Sequence, residues 1–273
     1  MNEITFDIAK SLYKARPTDA HKGTFGRALL YAGSKGMMGA AVLSSKACLR
    51  SGVGLCYVLG PDCGLDIMQI SVPEAIYKTE VPDPNLYSAV GCGPGLGKNE
   101  ETSRYLRFML KHTLVPMLLD ADALNIISEQ KWQSIIPEGA ILTPHPMEFT
   151  RLTGFTGGRE EMIVEACRFA KEHKVIVVLK GAGTAVIDTD GTVFINTTGN
   201  SGMATAGSGD VLSGIITGLL AQGYKPYDAA RLGVFLHGLA GDFAAKELSE
   251  EAMIASDIIN FISKGYLIFQ LQP

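Results

Sequence analysis

Short aliphatic runs recur along this chain, and most are followed by a glycine-bearing turn or a pair of carboxylates and then by a helical pattern. RALLYA (27–32) passes through Gly33-Ser34-Lys35-Gly36 into a helix expected over 39–50. LCYVL (55–59) precedes a helix over 61–70, and a strand over 88–92 precedes one over 100–111. Strands are also expected at 116–119 and 140–142, and at 175–179, where VIVVL is the most apolar run in the chain. Residues 184–187 and 192–195 read as a hairpin about the turn Asp188-Thr189-Asp190-Gly191. Further helices are expected at 4–13, 158–173, 228–248 and 256–263. At least five buried strands alternating with helices require a largely parallel sheet and an α/β fold. With neither a Pro- or Gly-rich linker nor an internal repeat, the expectation is one domain spanning 1–273.

Within that frame, residues 196–220 (NTTGNSGMATAGSGDVLSGIITGLL) are the most informative stretch. Gly199, Gly202, Gly207 and Gly209 lie among small polar residues, so this part can hardly be strand or helix. From Asp210 onward, Val211, Leu212, Ile215, Ile216, Leu219 and Leu220 mark a helix with a buried stripe. The amides of Gly207, Ser208 and Gly209 therefore collect at a helix start, where free N–H groups and the helix dipole favour a phosphate or an oxyanion. Asp210 puts a carboxylate beside that site. An N-cap and a catalytic base are both open to it, and the two roles are compatible.

Other polar loops follow strands and so fall on one edge of the sheet. Ala40 and Ala41 leave room for a ligand or for a closely packed neighbour. Gly91 to Gly97 has the spacing GxGPGxG, which is not a dinucleotide fingerprint, and it reads as a ligand-facing strand end or a plain turn. Asp120 and Asp122 end one strand, where carboxylates suit Mg²⁺ through water or serve as a cap and a turn. Pro144 and Pro146 clamp His145, with Glu148 close behind. Lys180, followed by Gly181, Ala182, Gly183 and Thr184, lacks the order of a Walker loop, yet the lysine could meet a phosphate. His237, beside Gly238 and Gly241, reads as packing.

Composition narrows the classes. A net charge of −4 gives no electrostatic reason to expect nucleic acid or an anionic membrane. Apolar runs stop short of the roughly 20 residues of a membrane span, and the N-terminus lacks a signal-type apolar core. Five cysteines without a CxxC pair are best explained as reduced thiols in the cytoplasm.

Several stretches together resemble the ribokinase-like superfamily and, within it, the NAD(P)H-hydrate dehydratases. They are HKGTFGRALLYAGS (21–34), GAA (39–41), GPGLG (93–97), LDADALN (119–125), LTPHPMEFTRLTG (142–154), VLKGAGT (178–184) and NTTGNSGMATAGSGD (196–210). GSGD alone would indicate only the superfamily; TPHPxEF with KGxxT and GNxxxAxxGSGD indicates the dehydratase branch. One departure is Ser208, where many relatives carry Thr or Ala, and it keeps an amide donor. The resemblance implies a sheet flanked by helices on both faces, with dehydration of the S forms of NADH hydrate and NADPH hydrate at the expense of ADP or ATP with Mg²⁺. Phosphorylation of the ring hydroxyl and loss of phosphate would follow, ADP giving AMP.

By the same carry-over, Asp210 is the base. Ala40, Gly95, His145 and Asp210 contact the hydrated dinucleotide. Lys180, Gly181, Ala182, Gly183, Thr184 and Gly209 contact the adenine nucleotide, with the amides of Gly207, Ser208 and Gly209 on the phosphoryl group. Glu148 with Asp120 or Asp122 would surround Mg²⁺. A homotetramer is implied, and epimerase activity, which some relatives carry in a fused domain, is expected to be absent. Two rivals are a ribokinase-like kinase of a sugar, hydroxymethylpyrimidine or thiazole alcohol, and a nucleotide-binding sensor without turnover.

Overall fold

The computed structural model describes residues 1–271. A single ten-stranded sheet runs through it in the order β1-β10-β9-β8-β7-β6-β5-β2-β3-β4. The strands are β1 (Asn2–Ile4), β2 (Arg27–Tyr31), β3 (Leu55–Leu59), β4 (Ile76–Lys78), β5 (Ala89–Cys92), β6 (Met117–Leu119), β7 (Ile141–Leu142), β8 (Ile176–Leu179), β9 (Ala185–Ile187) and β10 (Val193–Asn196). Only β9 runs antiparallel to its neighbours, through the hairpin with β10 and its pairing with β8. The largely parallel α/β fold read from the sequence is the one observed.

Ten α-helices connect or cover the described strands: α1 (Phe6–Leu12), α2 (Met38–Arg50), α3 (Leu65–Ser71), α4 (Glu100–His112), α5 (Ala121–Gln130), α6 (Pro146–Thr153), α7 (Arg159–His173), α8 (Ser208–Ala221), α9 (Pro226–Leu248) and α10 (Ala255–Leu271). Strand side chains alternate between two cores. Ala28 and Leu30 of β2 join the cluster under α2, α8, α9 and α10. Leu29 and Tyr31 join the cluster under α4, α5, α6 and α7. Helices therefore cover both faces. None is long and apolar enough among the described residues to cross a membrane.

Strand order reverses between β2 and β5, the place where an open α/β sheet parts to form a crevice. Two hydrogen bonds tie the loops there: Gly33 N–H to Pro94 O at 2.8 Å, and Ser34 Oγ to Gly95 O at 2.8 Å. Helix α8 lies against this opening. It comes close to the sheet because β5 carries Gly91, where a Cβ would stand 2.4 Å from Thr217 Oγ1. It comes equally close to α2, because a Cβ on Gly214 would stand 2.1 Å from Ser44 O and one on Gly218 2.0 Å from Ser51 Oγ. All six aliphatic residues of the α8 stripe are 3% exposed or less. At about 1.5–3 kcal/mol each, their burial contributes on the order of 10 kcal/mol of gross apolar stabilisation.

Several boundaries differ from the expectation. Strands β1 and β4 were not foreseen. Helix α6 begins at Pro146, inside what reads as a clamped loop, and α10 continues beyond residue 263 to Leu271. Helix α8 begins at Ser208 rather than Asp210.

Candidate active site

The edge formed by the carboxyl ends of β2, β5, β6, β7 and β8 gathers most of the polar residues singled out above. Its centre is the start of α8. Gly207 is the N-cap, held at φ 90, a left-handed conformation that suits glycine. The N–H groups of Gly207, Gly209 and Asp210 donate to no acceptor among the described residues, whereas that of Ser208 reaches Thr205 O at 3.3 Å. The free amides are thus Gly207, Gly209 and Asp210, with Ser208 spent on the turn. Asp210 is the third helical residue and does not cap the helix.

Asp210 is partly buried, and its carboxyl is pushed up to about 7. Burial is the main cause, followed by the negative charge of Asp120; Lys180 opposes them, and Asp122 and Glu148 add smaller upward pushes. These charges come from the ends of β6, β7 and β8, so the site is electrostatically one unit.

Lys180 is the cation at its centre. Its Nζ lies 2.8 Å from Asp120 Oδ1 and 3.7 Å from Glu148 Oε2. Burial works against its charge, but the two carboxylates outweigh that and raise its pKa. A Cβ added at Gly209 would stand 3.3 Å from the ammonium, so the first turn of α8 and Lys180 face each other across very little space. Asp120 Oδ2 also accepts from Ser213 Oγ at 2.5 Å. Ser213 is absent from the sequence-derived set. The available signal was its place in an otherwise apolar helix, one turn beyond Gly209.

His145 is more than a clamped residue at a strand mouth. Its Nδ1 accepts from Met147 N–H (3.1 Å) and Glu148 N–H (3.3 Å), and Glu148 Oε2 accepts from His145 N–H at 2.8 Å. This reciprocal capping box starts α6, with Pro146 at the first helical position. Nδ1 is therefore occupied as an acceptor. Nε2, 3.4 Å from Glu148 Oε1, is the ring atom that can face a ligand.

The loops after β2 and β5 bring Ala40 and Gly95 together: a Cβ on Gly95 would stand 2.8 Å from that of Ala40. The glycines of GPGLG have backbone duties as well. Gly93 packs so tightly that a Cβ would stand 1.9 Å from Asp120 O, and Gly97 N–H donates to Asp122 Oδ2 at 2.8 Å. Between the two acids, Ala121 sits at φ 46, a left-handed conformation unusual outside glycine. Such strain is retained where the surroundings fix it, here beside the buried carboxylate.

Gly181, Ala182, Gly183 and Thr184 form an open turn after Lys180, with Thr184 Oγ1 donating to Gly181 O at 3.1 Å. Arg159 of α7, another residue missed from sequence, donates to Lys180 O and Gly183 O and holds this turn from outside. Behind the amides, His237 is buried with Nε2 3.4 Å from Ser208 Oγ. Burial lowers its pKa to about 4, so it is neutral at pH 7.

As metal ligands, Asp120 and Glu148 lie together, but with a lysine between them. Both oxygens of Asp120 are already engaged. Among the described residues no three His, Cys, Asp or Glu side chains gather as a metal cage. This donor set suits Mg²⁺ that takes most of its oxygens from phosphate and water.

A family profile described as NAD(P)H-hydrate dehydratase matches residues 28–264. The bifunctional NAD(P)H-hydrate repair enzyme of Moorella thermoacetica is 40% identical over 95% of this chain and 52% of its own length. This chain spans about half the length of such bifunctional relatives. The ADP-dependent (S)-NAD(P)H-hydrate dehydratase of Neisseria meningitidis is 38% identical, over 91% of this chain and 86% of its own. The crystal structure of the ADP/ATP-dependent NAD(P)H-hydrate dehydratase of Bacillus subtilis, co-crystallised with ATP and Mg²⁺, superposes with a TM-score of 0.87 at 30% identity and covers 98% of both chains.

Proposed function

Because this chain belongs to the NAD(P)H-hydrate dehydratase family, we propose that it removes the ring hydroxyl from the S forms of NADH hydrate and NADPH hydrate, using ADP or ATP. The observation that carries the reading is Asp210: a carboxyl whose pKa is lifted to about 7, in the first turn of α8 and flanked by free amides. A general base works best with a pKa near the operating pH.

Asp210 accepts the proton of the ring hydroxyl as that oxygen bonds to the terminal phosphorus of the donor. The bond to the leaving nucleotide breaks, so ADP leaves as AMP. The free N–H groups of Gly207 and Gly209 stabilise charge on the transferring phosphoryl oxygens, and Lys180 supplies a fixed positive charge beside them. Mg²⁺, held through water by Glu148 and Asp120, would neutralise further phosphate charge. Phosphate and a neighbouring ring proton then leave together and the dihydronicotinamide double bond returns. The nucleotide has a chemical purpose, since phosphate is a far better leaving group than hydroxide.

In this reading Ala40, Gly95 and His145 Nε2 contact the hydrated dinucleotide, and residues 181–184 contact the adenine nucleotide. One continuous sheet supports treating 1–273 as one dehydratase domain. Free thiols support a reducing, cytoplasmic setting, and a tetramer is proposed by family resemblance. The test is to incubate the protein with NADH hydrate, Mg²⁺ and either ADP or ATP, following the return of dihydronicotinamide absorbance. A kinase would instead accumulate a phosphorylated product, and a sensor would give neither.

A further inference from the structure

At the opposite edge of the sheet, where α2 and α8 end and β2 begins, lies a cavity of about 390 Å³. That volume falls within the roughly 300–1,000 Å³ of small-molecule sites. Three basic residues line it, Lys14, Arg16 and Arg50, and no acidic residue among those described. Aromatic rings complete the wall: Phe25 lies 3.9 Å beneath the Arg16 guanidinium, and Tyr224 lies 4.5 Å from Lys14 Nζ.

A plain structural role accounts for part of this. Two helices end here, and Lys14 Nζ donates to Gly223 O at 3.0 Å, Arg16 to Gly52 O, and Tyr266 OH to Ser51 O at 2.8 Å. That role leaves most of the charge unused. Among the described residues Arg16 spends one of its five N–H donors, and neither it nor Lys14 has a carboxylate partner. Arg50 reaches the same cavity, exposed and with no ion pair among the described residues. Cations gathered around ring faces, with no counter-charge among the described residues, are arranged to take an anion.

We propose that this cavity is a second ligand site, separate from the Asp210 centre, for a small aromatic compound bearing a carboxylate or a phosphate. The inference stands apart from the activity proposed above. Its chemistry rests on Arg16 and Arg50 for the charge and on Phe25 and Tyr224 for the ring.

The probe is 1-anilinonaphthalene-8-sulfonate, titrated by fluorescence against the whole chain with Mg·ATP present to fill the other centre. Saturable binding is expected, with displacement by benzoate or by phenyl phosphate showing which anion is preferred. Arg16→Ala should weaken binding, but it also removes contacts with Phe25 and Gly52. Arg50→Glu is therefore the deciding variant, since it reverses the charge at the cavity rim and breaks no hydrogen bond or ion pair among the described residues. It should weaken binding at least about ten-fold, with only the small loss of stability expected for an acid at the end of α2. Binding that is lost when Mg·ATP is added, is displaced by neither anion, or is the same in Arg50→Glu would overturn the assignment.

Discussion

Lys180 Nζ stands 2.8 Å from Asp120 Oδ1, and Asp120 is only 1% exposed. A buried carboxylate of this kind depends on its cation. Replacing Lys180 with Met should destabilise the protein by about 3–5 kcal/mol, because Asp120 and Glu148 would be left buried without it. Urea unfolding measures this. Adding Asp120→Asn to Lys180→Met should recover part of the lost stability and none of the turnover, which separates the structural role of the pair from the catalytic one proposed for it.

Asp210→Asn should lower turnover by about 10²–10⁴-fold, the usual worth of a general base. Nucleotide binding should survive, since the amides of Gly207 and Gly209 remain. An equal loss of binding and turnover in calorimetry and kinetics would show that Asp210 acts in the ground state instead. The acid limb of kcat/KM should have an apparent pKa near 7, as Asp210 must be ionised to act.

Asp210 and His237 should pull the pH dependence of stability in opposite directions. Between pH 4 and 7 the folded chain keeps a proton on Asp210 that the unfolded chain has released, so this group makes stability fall as pH rises. His237, depressed to about 4, is neutral in the folded chain while the unfolded chain binds a proton below about 6.5; it makes stability rise with pH. The two slopes largely cancel in the intact protein. Asp210→Asn should unmask the histidine, leaving stability that drops on acidification below 6.5. Melting temperatures over pH 4–8 for both proteins test this. A profile unchanged by the substitution would show that Asp210 titrates as an ordinary carboxylate.

Gly214→Ala tests the contact between α8 and α2. Helix propensity alone favours Ala by about 1 kcal/mol. A methyl 2.1 Å from Ser44 O cannot be housed without moving a helix, at a cost of about 3 kcal/mol. The steric effect should win, giving net destabilisation of about 2 kcal/mol. It should also lower turnover, since α8 carries Asp210. Denaturant midpoints and steady-state rates measure both.

Legibility from sequence followed length and periodicity. VIVVL and RALLYA needed no context, and β8 and β2 lie where those runs predict. Strands β1 and β4 have three residues each and no pattern of their own; β1 exists by pairing with β10 at Asn2–Phe194, and β4 by pairing with β3. The start of α6 is hidden by the two prolines, which read as a clamp on His145, although proline is favoured in a first helical turn. The last helix, expected over 256–263, continues through Gly265, where α10 meets Leu236; a Cβ there would stand 2.5 Å from Leu236 Cδ1. In the site, residues in glycine-rich motifs were legible. Ser213 and Arg159 were not, because each acts through a neighbour that only the fold supplies.

Helices α2 and α8 touch backbone to backbone along their length, and each opens onto the same crevice, α2 with Ala40 and α8 with Gly209 and Asp210. The span between those two mouths is thus gauged by main chain, like the jaws of a fixed spanner, and no rotamer can reset it. A ligand arriving there meets an aperture already cut to size, and little entropy is lost in gathering loose walls around it.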